Sequence, residues 1–291
     1  MATHTVLDGR AIAERLKQEL QKELVALRAA VPPTLGILYF GTIPASIVYK
    51  NAQEAHARRL GIRTMTHACD AVVTQADVER VIQRWNQDRQ VHGIFVHQPM
   101  PPQVDPQRVS SAIDPQKDIE GIHPQNSARR FFARARIGSC TALAVMELIE
   151  EALRRSGDTL EGKEAVIVGH SEIVGRPVSM LLLDKLATTT VCHAATKALQ
   201  THVERADVLV VAVGRPHLIT GEWIKKGSVV IDVGINVVGG KVVGDVEFEA
   251  AKDRAAFITP VPGGVGPVTV MMVMKNTIEA FKLQQQPGAR A

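Results

Sequence analysis

The amino-acid sequence predicts an α/β fold in two domains, the second organised around a parallel sheet with helices on both faces. Three observations predict it. Short apolar runs recur at 165–168, 190–192, 208–213, 229–233 and 257–259. They lie roughly 20–27 residues apart with helix-length segments in most of the gaps, the spacing of βαβ units. Glycines close three of the runs, at Gly169, Gly214 and Gly234, and so put loops where ligands sit in parallel sheets. The length of 291 residues is enough for two domains of roughly 150 residues, each with its own core.

Along the chain, residues 8–29 carry Ile12, Leu16, Leu20, Leu24 and Leu27 at helical spacing, and Pro32-Pro33 closes the segment. Leu35–Tyr39 and Gly93–Val96 are short apolar strand candidates, with helices expected near 45–60 and 75–89. The stretch Pro99–Pro106 directly follows an apolar strand and reads as an ordered loop at a strand end. A helix from about Thr141 to Arg155 crosses the boundary between a first domain, 1–140, and a second, 141–267. The Gly/Pro-rich block Pro262–Val270 reads as a rigid loop that a ligand can approach. A C-terminal helix, about 268–285, follows, with Met271, Met272 and Met274 in its core face. Trp85 and Trp223 are read as packing residues, and no repeat of domain-building length is present.

Composition narrows the function classes. The 45% hydrophobic and 22% charged content is that of a globular protein and excludes disordered or fibrous classes. A net charge of +4 leaves only Arg129–Arg130 and Arg134/Arg136 as a local basic concentration. That is too thin for a nucleic-acid face, though it suits an anionic small molecule. Cys69, Cys140 and Cys192 are widely spaced and odd in number, so they read as reduced core residues. His92, His97 and His123 lack metal-ligand spacing, and no metal is expected. The start carries no targeting pattern and no apolar run is long enough to span a bilayer, so the expected location is the cytoplasm.

The most informative loop is Gly169-His170-Ser171-Glu-Ile-Val-Gly175-Arg176-Pro177, between an apolar strand and the helix-like run Val178–Leu186. Glycines allow a tight turn and close approach, and a helix N-terminus offers free N–H groups to a pyrophosphate, as in Rossmann-like domains. The spacing is G-x-S-x-x-x-G, so an ordinary strand-to-helix turn stays open beside dinucleotide binding. The second strand ends at Cys192-His193-Ala194 with no acid to grip a ribose 2′-hydroxyl. This leans towards NADP over NAD, with His170, Arg176 and His193 as candidate phosphate partners.

Several segments together resemble one family. They are Pro44-Ala-Ser46…Tyr49, Lys117-Asp-Ile-Glu-Gly121…His123-Pro124…Asn126, Gly169-x-Ser171…Gly175-Arg-Pro177, Asp232-Val-Gly-Ile-Asn236, Val243-Gly-Asp-Val246 and Thr259-Pro-Val-Pro-Gly-Gly-Val-Gly-Pro267. Collinear and spanning nearly the whole chain, they resemble the methylenetetrahydrofolate dehydrogenase/methenyltetrahydrofolate cyclohydrolase family. The resemblance implies two α/β domains around a cleft, the first completed by the C-terminal helix. It implies oxidation of 5,10-methylenetetrahydrofolate with NADP, then hydrolysis of the methenyl product to 10-formyltetrahydrofolate. It also implies a homodimer joined through the nucleotide domains. Carried over by motif, Tyr49, Gln53, His97 and Glu120 take the catalytic positions. Tyr49, His97, Glu120 and the block Pro262, Gly263, Gly264, Val265, Gly266 and Pro267 would meet the folate. Gly169, His170, Ser171, Gly175, Arg176, His193, Gly234 and Ile235 would meet the cofactor.

The departures from the family pattern bear on the chemistry. The family's Tyr-x-x-x-Lys reads Tyr49-Lys-Asn-Ala-Gln53, so the catalytic lysine is absent. Lys50 points about 100° away from Tyr49 around the helix and is expected in an exposed ion pair with Glu54. The glutamine that partners the family lysine is His97, the pterin-binding aspartate is Glu120, and the Pro-Cys-Thr-Pro loop is Ser139-Cys140-Thr141-Ala142. Hydride transfer from the methylene carbon needs positioning and no protein proton acceptor. Hydrolysis needs a group that titrates, which a glutamine amide does not. The first reading is therefore a dehydrogenase whose cyclohydrolase activity is weak or lost. The second is a full bifunctional enzyme in which His97, oriented by Gln53, transfers the proton. The third is a paralogue for another folate adduct, or a folate-binding protein without turnover.

Overall fold

A computed structural model describes residues 5–27, 29, 31–41, 44–70 and 72–286. In chain order the elements are β1 (Thr5–Val6), α1 (Gly9–Leu27), β2 (Thr34–Phe40), α2 (Pro44–Leu60), β3 (Arg63–Cys69), α3 (Gln75–Gln87) and β4 (Gly93–Val96). Then come α4 (Pro106–Ala112), α5 (Pro124–Phe131), α6 (Cys140–Ser156), β5 (Glu164–Val168), α7 (Gly175–Leu183), β6 (Thr188–Cys192), α8 (Leu199–Val203) and β7 (Val208–Val211). After a 3₁₀ turn at Gly221–Trp223 follow β8 (Val229–Asp232), β9 (Asn236–Val238), β10 (Lys241–Val243), α9 (Phe248–Lys252), β11 (Phe257–Ile258) and α10 (Val265–Gln285). The chain forms two compact units. One holds the described residues up to Arg15 together with Thr141–Thr269, and the other holds Leu16–Cys140 together with those from Val270 on.

The unit of Leu16–Cys140 is built on a parallel sheet of order β3-β2-β4. Strand β2 is a continuous apolar run paired on both sides, and it is buried at all but one position. Strand β3 gave no signal because it is an edge, paired only with β2 and polar at Arg63, Thr64, Thr66 and His67. Because the chain passes from β2 to β3 on one side and returns as β4 on the other, the sheet has a switch point at the carboxyl ends of β2 and β4. Helix α3 starts with a Thr74/Asp77 capping box and buries Val78, Val81, Ile82 and Trp85. Trp85 lies against Gly36, where a Cβ would be 3.0 Å from the indole. The end of α3 is closed by Lys117, whose buried Nζ donates to the carbonyls of Trp85 (2.7 Å), Asn86 (2.8 Å) and Asp88 (2.7 Å). A cation at a helix C-terminus meets both the orphan carbonyls and the dipole.

The other unit carries a six-stranded sheet of order β1-β11-β8-β7-β5-β6, parallel throughout. The expected α/β class and parallel sheet are borne out. Central strands β7 and β8 are fully buried, and β5 nearly so, which is why they read as unbroken apolar runs. Strand β1 is only two residues long, too short to leave a periodicity. The chain runs from β5 to β6 on one side and to β7 on the other, so a second switch point falls at the end of β5, at Gly169. The block 262–270 is not loop throughout: α10 begins at Val265. Pro267 is compatible because the first-turn N–H it lacks has no intrahelical acceptor. Met271, Met272 and Met274 are buried, Trp223 is partly buried, and all three cysteines are free and buried. Among the described residues no helix is long and apolar enough to cross a membrane.

Replacing Lys117 with methionine would take the Nζ donor from the carbonyls of Trp85 and Asn86 and leave Asp88 only the Val91 N–H. We expect Lys117→Met to cost about 3 kcal/mol, read as a shift in urea midpoint at unchanged slope.

Candidate functional site

Helix α2 presents Ser46, Tyr49, Lys50 and Gln53 at i, i+3, i+4 and i+7, hence on one face. That face meets His97, the first residue after β4, whose N–H donates to the Leu38 carbonyl (2.9 Å). Ser46, Gln53 and His97 are 3%, 0% and 2% exposed. His97 bridges the other two: its Nδ1 lies 3.0 Å from Ser46 Oγ and its Nε2 lies 2.8 Å from Gln53 Oε1. The Gln53 Nε2 atom, equally buried, has no hydrogen-bond partner. Burial, then the Lys50 charge, lowers the His97 pKa to about 4. The imidazole is therefore neutral at neutral pH, which removes the near-neutral titration that proton transfer by His97 relies on.

Tyr49 lies one turn before Gln53, its ring 5.5 Å from His97 and 6.0 Å from Phe95. Burial, reinforced by Cys140 and Glu120, holds its phenol well above the usual value, while the Gln53 amide draws it back. Lys50 does pair with Glu54, at 2.9 Å, but the pair is not exposed as expected, with side chains only 15% and 25% accessible. Packing of Nζ over the Tyr39 ring, 5.4 Å from its centroid, explains the burial.

Glu120 follows Asp118, which forms an isolated parallel bridge with Ile94 of β4. The fully buried Asp118 carboxylate accepts from the Glu120 N–H (3.2 Å), the His123 N–H (2.8 Å) and Asn126 Nδ2 (2.9 Å). Asn276 of α10 fixes the same loop, donating to the carbonyls of Ile119 (2.7 Å) and Gly138 (2.8 Å). Cys140 is held beside them, its thiol donating to Ile119 O at 3.4 Å and its pKa pushed up by burial and Glu120. Burial, with Asp118 adding repulsion, raises the Glu120 carboxyl to about 8. The sequence reading assigned no role to Ser46, Asp118 or Asn276. Ser46 was legible from its helical spacing to Gln53. Asn276 leaves no sign beyond being polar within an apolar helix.

The second cluster lies at the end of β5. Gly169 takes φ +125°, and a Cβ there would overlap the Ala212 carbonyl. A Cβ on Gly175 would overlap the Gly169 carbonyl, so both glycines are required by close approach. Ser171 Oγ accepts from the N–H groups of Val174 (3.2 Å) and Gly175 (3.4 Å), and its carbonyl accepts from Arg176 N–H (3.1 Å). These first-turn donors are thus not free for a pyrophosphate, contrary to expectation, because the serine caps them itself. The groups that remain are side chains. His170 and His193 are exposed with ring centroids 5.5 Å apart, and exposed Arg176 lies 3.6 Å from Glu172.

At the end of β8, Asp232 accepts from the N–H groups of Gly234 (2.9 Å), Asp245 (3.1 Å) and Val246 (2.9 Å), and burial raises its pKa to about 6. Asp245 in turn holds the N–H groups of Val213 (2.7 Å) and Gly214 (2.9 Å). Gly234 is packed against Asp245, and Ile235 beside it is 70% exposed. Pro262, Gly263 and Gly264 form the turn before α10, and Val265, Gly266 and Pro267 form its first turn. The Gly263 carbonyl accepts from Gly9 N–H at 2.9 Å. Tyr49, Gln53, His97 and Glu120 therefore gather in one unit, whereas the Gly169 loop, His193, Gly234 and the 262–267 block belong to the other.

Comparison with known proteins places the chain in a family. Residues 7–120 match the model for the tetrahydrofolate dehydrogenase/cyclohydrolase catalytic domain, and residues 139–285 match that for the NAD(P)-binding domain. The chain belongs to the tetrahydrofolate dehydrogenase/cyclohydrolase family. It is 44% identical over 280 residues to "Bifunctional protein FolD 2" of Geobacter metallireducens, covering 96% of this chain and 97% of the relative. It is 46% identical over 278 residues to the protein of the same name from Myxococcus xanthus, covering 94% and 95%. Among solved structures, Trypanosoma brucei N5,N10-methylenetetrahydrofolate dehydrogenase-cyclohydrolase, complexed with NADP cofactor and inhibitor, is 39% identical. Its TM-score is 0.92, with 100% of both chains covered. The expected family, its enzyme type and its NAD(P)-binding domain are borne out.

Two outcomes follow for this family member. A carboxyl of ordinary pKa 4.5, raised to about 8 on folding, keeps its proton in the folded protein after the unfolded chain has lost it. Stability therefore falls as pH rises from about 4.5 to 8 and levels above that. We expect Glu120→Gln to remove this slope, gaining on the order of 2 kcal/mol over the parent at pH 8 relative to pH 5 in paired denaturant titrations. Gly175→Ala should weaken NADP binding at least about tenfold by fluorescence titration, because the added methyl displaces the Gly169 turn.

Proposed function

We propose that this protein oxidises 5,10-methylenetetrahydrofolate to 5,10-methenyltetrahydrofolate with NADP, and that its hydrolysis of the methenyl product is weak or absent. The observation that carries the reading is Gln53. Where the family motif has lysine there is a buried amide, bonded to an imidazole that stays neutral near pH 7.

NADP supplies a hydride acceptor, and the chemistry left to this chain on the oxidation side is binding and orientation. Tyr49 offers a ring face and a neutral hydroxyl, and Glu120 offers a carboxyl to the polar edge of the pterin. Hydrolysis asks more, since water must lose a proton as it adds to the methenyl carbon and a ring nitrogen must gain one. Neither Gln53 nor a His97 with pKa about 4 and both ring nitrogens engaged supplies that. Lys50 is committed to Glu54.

NADP is favoured by the donor set of exposed His170, His193 and Arg176, by the absence of an acid after β6, and by the pair of glycines that leaves room at the turn. The NADP complex of the Trypanosoma brucei relative adds support. Folate recognition falls to the unit of Leu16–Cys140 with the chain from Val270, and nucleotide recognition to the other unit. The 262–267 block is assigned to the substrate by family resemblance. We take the protein to be a cytoplasmic homodimer joined through its nucleotide units, where Ile235, Val237 and Val238 leave apolar surface exposed. A second reading, another folate adduct or binding without turnover, draws on Glu120 and the buried Ser139-Cys140 turn, which reshape the pterin pocket.

A paired absorbance assay decides among these readings. NADPH should form from methylenetetrahydrofolate while methenyltetrahydrofolate accumulates, and methenyltetrahydrofolate supplied alone should decay at the buffer rate. The double variant Gln53→Lys/His97→Gln restores the family pair and should hydrolyse it at least about tenfold faster than the parent. Enzymatic decay with the parent protein would overturn the loss of hydrolysis. Folate binding without NADPH formation would favour the second reading.

A further inference from the structure

Gln53 Nε2 is a fully buried amide nitrogen with two hydrogens to place and, beyond its influence on the Tyr49 phenol, no partner; such a donor is costly unless something completes it. Its position is not accidental. The carbonyl end of the same amide is 2.8 Å from His97 Nε2, and the far side of that ring is 3.0 Å from Ser46 Oγ. A neutral imidazole has one donor and one acceptor nitrogen, so the bond made at Nδ1 selects what Nε2 does. With the Ser46 hydroxyl donating to Nδ1, the proton sits on Nε2 and is given to Gln53 Oε1. The amide NH₂ then faces away from His97, on the side of the Tyr49 hydroxyl, whose pKa it lowers.

We propose that Ser46, through His97, orients the Gln53 amide so that its NH₂, together with the Tyr49 hydroxyl, donates to one carbonyl oxygen of the bound reduced folate. Ser46 and His97 are then positioning residues, and Gln53 is a specificity-determining one. The site recognises an acceptor through neutral donors, where a lysine would present a charge. The charged and titratable groups around the relay agree with this. Lys50, paired with Glu54 on the same helix, opposes protonation of His97, and Glu120 and, at the start of α6, Cys140 oppose ionisation of Tyr49. This inference rests on the folate reading above, and the test separates the two.

The full chain, labelled with ¹⁵N-histidine, is examined by long-range ¹⁵N–¹H correlation, His97 being assigned by its loss in His97→Asn. The expected spectrum has His97 neutral from pH 5 to 8 with its proton on Nε2. Ser46→Ala should disturb that tautomer and raise KM for methylenetetrahydrofolate about tenfold, with kcat and the NADP affinity within a factor of two, and Ser46→Thr should rescue it. Gln53→Leu should weaken tetrahydrofolate binding about tenfold by calorimetry. A proton on Nδ1 in the parent protein would mean the amide is turned the other way and overturns the proposal, whether or not the variants fold. Unchanged tetrahydrofolate affinity in Gln53→Leu overturns this proposal alone. If the parent binds no tetrahydrofolate, the functional reading fails with it.

Discussion

The folate-side cluster depends on one buried carboxylate. Asp118 is joined to β4 by its bridge to Ile94, and its two oxygens gather the backbone of Glu120 and His123 and the side chain of Asn126. A carboxylate that fully removed from water is tolerated only when its lone pairs are filled, and here they are filled by two backbone donors of the following loop and one side chain of α5. The loop is therefore indexed to the sheet, and Glu120 inherits a fixed place from which it acts on the Tyr49 phenol. Lys117, next in sequence, does parallel work on the other side by closing α3. The two charged residues of the Lys-Asp pair thus serve architecture, and the chemistry is left to their neighbours.

What distinguishes this cluster is that burial has driven four of its titratable groups towards neutrality. His97 is held unprotonated, while the Tyr49 phenol, the Cys140 thiol and the Glu120 carboxyl are all held protonated near neutral pH. In low dielectric an isolated charge is expensive, and each of these groups escapes that cost by its choice of protonation state. A site of this kind can align a substrate for hydride loss. Shuttling protons calls for a group poised between its two states, and the proposed weakness of hydrolysis rests on that requirement.

Much of this was legible in the sequence, and the failures have physical causes. The strands of the six-stranded sheet were readable where they are buried on both faces, as at Val208–Val211, and silent where they are short or at an edge, as at Thr5–Val6 and Arg63–Cys69. The glycine pair Gly169 and Gly175 was readable because close approach leaves a compositional mark. The start of α10 was hidden because Gly266 and Pro267 signal a loop by composition yet are tolerated in a first helical turn. Gln53 was visible by its spacing from Tyr49, whereas the capping of the α7 start by Ser171 and the seclusion of the Lys50–Glu54 pair depend on packing that no local pattern encodes.

The solitary amide nitrogen of Gln53 also bears on the protein before any ligand arrives. A buried donor short of a protein partner makes the middle of α2, around Gln53, less secure than its surroundings. Local opening there needs less free energy than opening of the β2 core, and backbone amides of that turn would exchange with solvent ahead of the strands beside them. Ligand occupancy completes the donor and closes the gap in protection. On the folate reading proposed above, the amide of Gln53 thereby couples the rigidity of a helix to the supply of its substrate.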